Sequence, residues 1–228
     1  FGDLHVHTAF SMDAVLFGVE AEPNEAYAFA KGAPMTLAPA LRDLAVLGSA
    51  ATAQLARPLD FTAVTDHAEF FGEFYLCTVP PADPSDPTEP YNDQFCVDYR
   101  AVAFGNRNVT TTPGPAISQG VFQAFTAPLI EPVPMRNPIC GPADVECIAR
   151  TSLIWQETQD AAQLANDPCT FSAFNAYEWT KVEDDPTLTA GVAILHRNVI
   201  FRGDSVPSAP ISVFEAPKVE LLWEQLQK

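Results

Sequence analysis

Phe1-Gly-Asp-Leu-His-Val-His-Thr-Ala-Phe-Ser-Met-Asp13 is the stretch on which the reading of the fold turns. From Asp3 to His7 polar and apolar residues alternate, the period of a strand with two distinct faces. His5 and His7 therefore share one face, and Val6 turns into the opposite packing layer. Thr8, Ser11 and Asp13 follow in a polar turn, so the strand end carries two imidazoles with a carboxylate close behind. Such a donor set suits zinc, iron or manganese. A buried strand whose two histidines bond backbone groups fits the same residues, and for one His-x-His alone the two readings stand level.

The histidine census shifts that balance. The chain has four histidines, His5, His7, His67 and His196. His67 closes the strand-like run Leu59-Asp-Phe-Thr-Ala-Val-Thr-Asp-His67, and His196 lies within another, Gly191-Val-Ala-Ile-Leu-His-Arg-Asn-Val-Ile-Phe201. Each histidine thus sits in or at the end of an expected strand, and none falls in the loop-rich segments. Metal binding becomes the favoured reading.

At 228 residues the chain is one large domain or part of a larger one, with 47% hydrophobic residues and 18% charged, a globular composition. Its net charge of −17 argues against binding nucleic acid through phosphates and against an anionic membrane surface. No apolar run reaches transmembrane length; residues 41–55 come nearest and carry Arg42 and Asp43. The chain starts on its first strand with no initiator Met or signal peptide, which points to processing or a fragment. Cys77, Cys96, Cys140, Cys147 and Cys169 lie in the middle of the sequence, away from the histidines and without zinc-knuckle spacing. Disulfides in a periplasmic or secreted protein are the preferred reading, with one thiol left over; five buried thiols in a cytosolic protein is the other.

In chain order, Pro23 starts and Gly32 stops a helix over 24–31. Residues 37–55, rich in Ala and Leu, offer a second helix, and 61–65 a buried parallel strand. From 72 to 150 Pro-rich turn signals crowd together, with periodic runs only near 95–104 and 120–130. This reads as a long irregular insertion, stapled by its cysteines, that covers the mouth of a site or serves a structural or oligomeric role. A helix over 151–165, a strand over 170–179, an acidic loop at 183–186, the His196 strand and a helix over 217–228 complete an α/β rhythm.

Gly2-Asp-Leu-His-Val-His-Thr8 with Asp13, then Ala63-Val-Thr-Asp-His-Ala-Glu69, resembles the polymerase and histidinol phosphatase (PHP) superfamily of metal-dependent phosphoesterases. Tyr177-Glu-Trp-Thr180 and Leu195-His-Arg-Asn-Val-Ile-Phe-Arg202 narrow the likeness to its DUF3604 branch, over the whole chain. The resemblance implies a distorted (β/α)7 barrel, or the N-terminal portion of one, as a single domain over 1–228 interrupted by the 72–150 insertion. It further implies that His5, His7, Asp13, His67, Glu178 and His196 ligate two or three divalent ions (Zn, Mn or Fe), with Glu178 bridging.

Asp66 is read as a catalytic or orienting carboxylate, Glu69 as supporting or solvated, and Arg197 as a phosphate clamp or a partner of acidic residues. The family's later histidine and closing Asp-x-His have no counterpart here, so a C-terminal segment or a second chain is expected to complete the site. The expected activity is hydrolysis of a small phosphate ester by a metal-bound hydroxide. Alternatives are an amidohydrolase-like deacylase or esterase, or a non-catalytic metal-binding portion of a longer protein.

Overall fold

The computed structural model describes residues 1–37, 52–104, 115–131, 133–184, 187 and 192–228. Strand β1 (Gly2–Val6) pairs in parallel with β4 (Phe61–Val64), which pairs in parallel with β5 (Ser172–Phe174), giving a three-stranded sheet in the order β1-β4-β5. Two residues each form the small antiparallel pair β2 (Met35–Thr36) and β3 (Thr52–Ala53). After β5 the chain passes Asn175 and continues as β6 (Ala176–Asp184), which pairs antiparallel with β7 (Val192–Ile200). A parallel bridge between His67 and Glu178, with the Glu178 N–H donating to the Asp66 carbonyl at 3.0 Å, ties this hairpin to the end of β4. The architecture is mixed α/β with small sheets, and no closed barrel forms among the described residues.

The alternation read from the sequence governs β6. Glu178 and Thr180 face one side, while Tyr177 and Trp179 are buried on the other. That apolar face is capped by the segment after β7: Tyr177 Oη donates to the Ile211 carbonyl at 3.1 Å and Trp179 Nε1 to the Ala216 carbonyl at 3.0 Å. Buried indole and phenol groups need such partners, so each fixes the strand's rotation as well as filling space.

Helices surround the sheet: α1 (Met12–Leu16), α2 (Pro23–Ala30), α3 (Phe71–Thr78), α4 (Gln94–Phe104), α5 (Pro115–Ile130), α6 (Val145–Ala165) and α7 (Val219–Leu226). α2 starts with Pro23 in its first turn and a reciprocal Glu22/Glu25 capping box. Its Tyr27 hydroxyl donates to the Phe174 carbonyl and accepts from the Val64 N–H, bridging β4 and β5. α6 lays Ala161, Ala162 and Ala165 against Tyr27, Val64 and Phe171. The larger core joins Phe10, Phe70, Phe71, Phe74, Tyr99, Phe125 and Trp155 to β6.

Several expectations change. The described residues of 72–150 are largely helical: most of α3, all of α4 and α5 and the start of α6 lie there, and α6 begins at Val145 instead of 151. Some of the prolines that read as breakers, such as Pro138 and Pro142, open short helical turns, where no N–H is needed, and Pro128 lies inside α5. Glu183 and Asp184, read as loop, extend β6. The helix expected over 37–55 lies largely outside the described residues, and its end at Thr52–Ala53 is strand β3.

Disulfides Cys77–Cys96 and Cys140–Cys147 staple this layer, and Cys169 is a free, exposed thiol. The first joins α3 to α4. The second anchors α6 where it crosses α3 at Gly72, where a Cβ would lie 2.5 Å from the Cys147 carbonyl oxygen. No helix among the described residues is long and apolar enough to cross a membrane.

Replacing Cys77 and Cys96 together with alanine is expected to lower unfolding stability by about 3 kcal/mol, the closure entropy of a loop of roughly this length, read by denaturant titration. A second outcome concerns Glu73 on α3. Burial pushes its carboxyl up to about 7 even though the Arg136 guanidinium lies 3.6 Å away. The native state then holds a proton that the unfolded chain gives up near the ordinary value, so stability is lost as pH rises from about 4.5 to 7. Glu73→Gln is expected to flatten that slope in unfolding curves recorded across the window.

Candidate metal centre

The C-terminal ends of β1 and β4 and the middle of β6 converge on one point. β1 delivers His5 and, just past its end, His7; Ser11 precedes α1 and Asp13 lies in its first turn; the chain past β4 brings His67, β6 Glu178 and Thr180, and β7 His196. All six residues expected as ligands are brought together. In the antiparallel register Glu178 stands opposite Asn198 and Thr180 opposite His196, so these four side chains share a face.

Glu178 is the hub. Its side chain is 0% exposed, and its two oxygens face different imidazoles. Oε2 lies 3.0 Å from His5 Nε2 and 2.7 Å from His7 Nε2, and Oε1 lies 2.5 Å from His196 Nδ1. His5 Nε2 and His7 Nε2 are themselves 3.0 Å apart. Three overlapping donor sets result: His5/His7/Glu178, His7/Asp13/His67 and His67/Glu178/His196. A fourth grouping, Glu73 with Cys140 and Cys147, offers no thiolate because those cysteines are joined.

Hydrogen bonding assigns the nitrogens. Asp13 Oδ1 accepts from the Ser11 hydroxyl at 2.7 Å and the Ala14 N–H at 2.6 Å, and lies 3.1 Å from His7 Nδ1. An ionised carboxylate only accepts, so His7 carries a proton on Nδ1 and in its neutral form turns a lone pair on Nε2 towards Glu178. Asp13 Oδ2, at 3.6 Å from His67 Nε2, is the oxygen left to take part in the second set. Orientation of a ligating imidazole through its far nitrogen is the usual arrangement at metal centres.

Charge in the cluster is strongly coupled. Burial pulls the His7 and His67 imidazoles down, but Asp13 and Glu178 around His7, and Asp13 and Glu69 around His67, outweigh it and push them up to about 9 and about 10. Burial acts against ionisation of Asp13 and Glu178. The His67 and His7 rings at Asp13, and the His196 and His7 rings at Glu178, nevertheless hold both well below the usual carboxylate range.

The residues present fit a divalent cation. Glu178 Oε1 is buried and makes no hydrogen bond despite the imidazole nitrogen beside it. Nitrogens and an oxygen separated by 2.7–3.0 Å stand somewhat inside the spacing of about 3.0–3.4 Å that donors roughly 2.1 Å from a common centre adopt in octahedral or tetrahedral geometry.

The remaining expectations are placed differently. Asp66 is fully buried, and both its oxygens are taken by Thr8: Oδ1 accepts from the Thr8 N–H at 2.5 Å and Oδ2 from the Thr8 hydroxyl at 2.6 Å, and burial pushes it up to about 6. It fixes the turn that carries Ser11 and Asp13. Arg197 pairs with Trp179, not Thr180, so it lies on the face away from the cluster, and its guanidinium donates to the neighbouring His196 carbonyl. Glu69 is fully buried and accepts from the Thr180 N–H at 2.8 Å. Thr180 itself was missed, although its spacing of two from Glu178 on a strand was signal enough. So was Asn198, which donates to the Leu4 carbonyl beside His5 at 3.1 Å.

The chain belongs to the DUF3604 family, whose model, described as a protein of unknown function, matches residues 1–228. Comparison with curated proteins and with solved structures gave no match.

Because His7 and His67 hold protons at neutral pH in the cation-free chain, a cation that takes their lone pairs must release them. Affinity for Zn2+ or Mn2+ is expected to rise with pH from 6 to 8. Calorimetric titration in two buffers of different ionisation enthalpy checks it, and equal heats in both would contradict proton release.

Proposed function

We propose that this chain is a metal-dependent hydrolase of the PHP type that acts on a small phosphate ester with two or three divalent ions. The observation that carries the reading is Glu178, a desolvated carboxylate whose two oxygens are each turned to separate imidazoles. A carboxylate so placed can bridge two cations, the requirement of two-metal hydrolysis. His5, His7 and Glu178 would hold one ion and His67, Glu178 and His196 another, with Asp13 and His67 available to a third. The PHP affiliation and the barrel it implies rest on the four motifs in order, including His5-Val-His7 and Thr65-Asp-His67.

Bound cations supply Lewis acidity towards a phosphoryl oxygen and a nucleophile at neutral pH. The chain's own residues do the rest. Glu178 and Asp13 provide the negative charge that holds the ions, and Asp13 keeps the His7 proton on Nδ1 so that Nε2 is free. Asp66 locks the turn behind them through Thr8. Substrate would approach from the side of His5 and His196, whose side chains are 55% and 44% exposed, while the buried face of Glu178 keeps water from reaching the cluster from below.

That open side also favours a second reading, in which a C-terminal segment or a second chain supplies further ligands and this portion alone is not catalytic. Two disulfides support a periplasmic or secreted setting.

Glu178→Ala and His7→Ala are each expected to abolish metal retention, read by elemental analysis, together with hydrolysis of a panel of phosphate mono- and diesters. Unchanged activity in both variants would sink the assignment. Turnover of amides or lactones but not phosphate esters would move it to an amidohydrolase-like enzyme. Metals retained by the unmodified chain with no turnover on either panel would favour the non-catalytic reading.

A further inference from the structure

We infer that Asn198 is a positioning residue, holding the backbone of β1 so that His5 stays over Glu178; the inference rests on the metal-centre reading above. β1 is irregular where His5 stands. Gly2 and Asp3 pair with Phe61 and Thr62, and Val6 pairs with Val64, so β1 takes three steps where β4 takes two. Leu4 and His5 have no partner in that register, as at a β-bulge, whose extra residue leaves the ladder and whose bend re-aims a side chain.

Side chains hold this stretch where the ladder does not. The His5 N–H donates to Asp3 Oδ1 at 3.0 Å, within the same strand. The Leu4 carbonyl accepts from Asn198 Nδ2 at 3.1 Å, a bond that crosses from β7 to β1. β1 is an edge strand, and among the described residues no strand lies on its other side. His5 has little packing of its own: its side chain is 55% exposed, and its Nε2 stands 3.0 Å from both Glu178 Oε2 and His7 Nε2. An ion shared by these donors needs them held within roughly half an ångström, which a bulged, exposed edge does not supply by itself.

Asn198 is well placed to supply it. It stands opposite Glu178 in the β6–β7 register, so one strand pair carries both the carboxylate that faces the His5 ring and the amide that ties down its backbone. A carbonyl only accepts, so the NH2 end of the amide faces Leu4 and the oxygen is turned away from it. That oxygen is buried and has no hydrogen-bond partner among the described residues. An unpaired buried acceptor costs stability, and a leucine of nearly the same shape would avoid it. What the amide adds is its bond to β1.

The test is a titration of the whole chain with Co2+, followed by electronic absorption and by elemental analysis, for the unmodified protein, Asn198→Leu, His5→Ala and the double variant. His5→Ala identifies the ion held by His5, His7 and Glu178. Asn198→Leu is expected to weaken that ion about 10–100-fold, the range seen when the support behind a ligand is removed. The ion at His67 and His196 should bind as before. In the His5→Ala background, loss of the amide should leave the remaining Co2+ uptake unchanged, because a residue that acts through His5 then has nothing to position.

Unchanged affinity in Asn198→Leu overturns the inference alone. So does an equal loss of both ions, or a further loss in the double variant, either of which would trace the effect to Glu178 or to the fold. An unmodified chain that takes up no Co2+ overturns the metal-centre reading and this inference together. If Asn198→Leu does not fold, Asn198→Ala carries the test, since it removes the donor without adding bulk. The same selective loss is expected there, and unchanged affinity would overturn the inference.

Discussion

A carboxylate with no access to water needs positive charge within a few ångströms, and Glu178 is the point from which the rest of this fold can be understood. Removing an ionised carboxylate from solvent costs several kcal/mol even after relaxation, so an unpaired one at this position would empty the native state. Four histidines answer that cost, and they arrive from three separate strands. The β6 strand can present Glu178 inward only because Tyr177 and Trp179 are locked on its other face by the carbonyls of Ile211 and Ala216. The segment after β7, remote in sequence from any ligand, thereby sets the depth of the cluster.

The helical layer serves the same end from the other side. The chain turns directly from His67 into a short helical turn, Ala68–Phe70, and then α3, so Glu69 is carried beneath Thr180 by the packing of Phe70 and Phe71 into the large core. Arg136 donates to the Glu69 carbonyl at 2.7 Å and to Glu215 Oε1 at 2.9 Å, joining the turn before α3 to the chain that caps β6. The disulfides hold α3 to α4 and α6 to its preceding turn. Of the two roles the sequence leaves open for 72–150, this packing belongs to the structural one: the helices support one wall of the cluster.

How far the site could be read from the sequence depended on whether local period was enough. Strand alternation alone puts His5 beside His7, and the four histidines, in strands or just past their ends, stand together in the fold. The same rule applied to β7 separates Arg197 from His196, and applied to β6 it adds Thr180 to Glu178. Asp66 was harder: nothing in its neighbours tells whether a buried carboxylate faces a metal centre or the backbone of Thr8, since both demand desolvation and donors. The helices of 72–150 were obscured because prolines mark loops and first turns alike, and only tertiary contacts such as Gly72 against Cys147 decide between them.

The protonation pattern gives the cluster a chemical logic of its own. In the cation-free chain the carboxylates of Asp13 and Glu178 stay ionised because His7 and His67 hold protons far above their ordinary range. Those protons balance the same buried charge that a divalent ion would balance, so cation and protons compete for one set of lone pairs. A chain of net charge −17 offers little background positive potential to an anionic substrate. On the proposed reading, exchange of ring protons for divalent ions would concentrate positive charge at the exposed edges of His5 and His196, where an anionic substrate would approach.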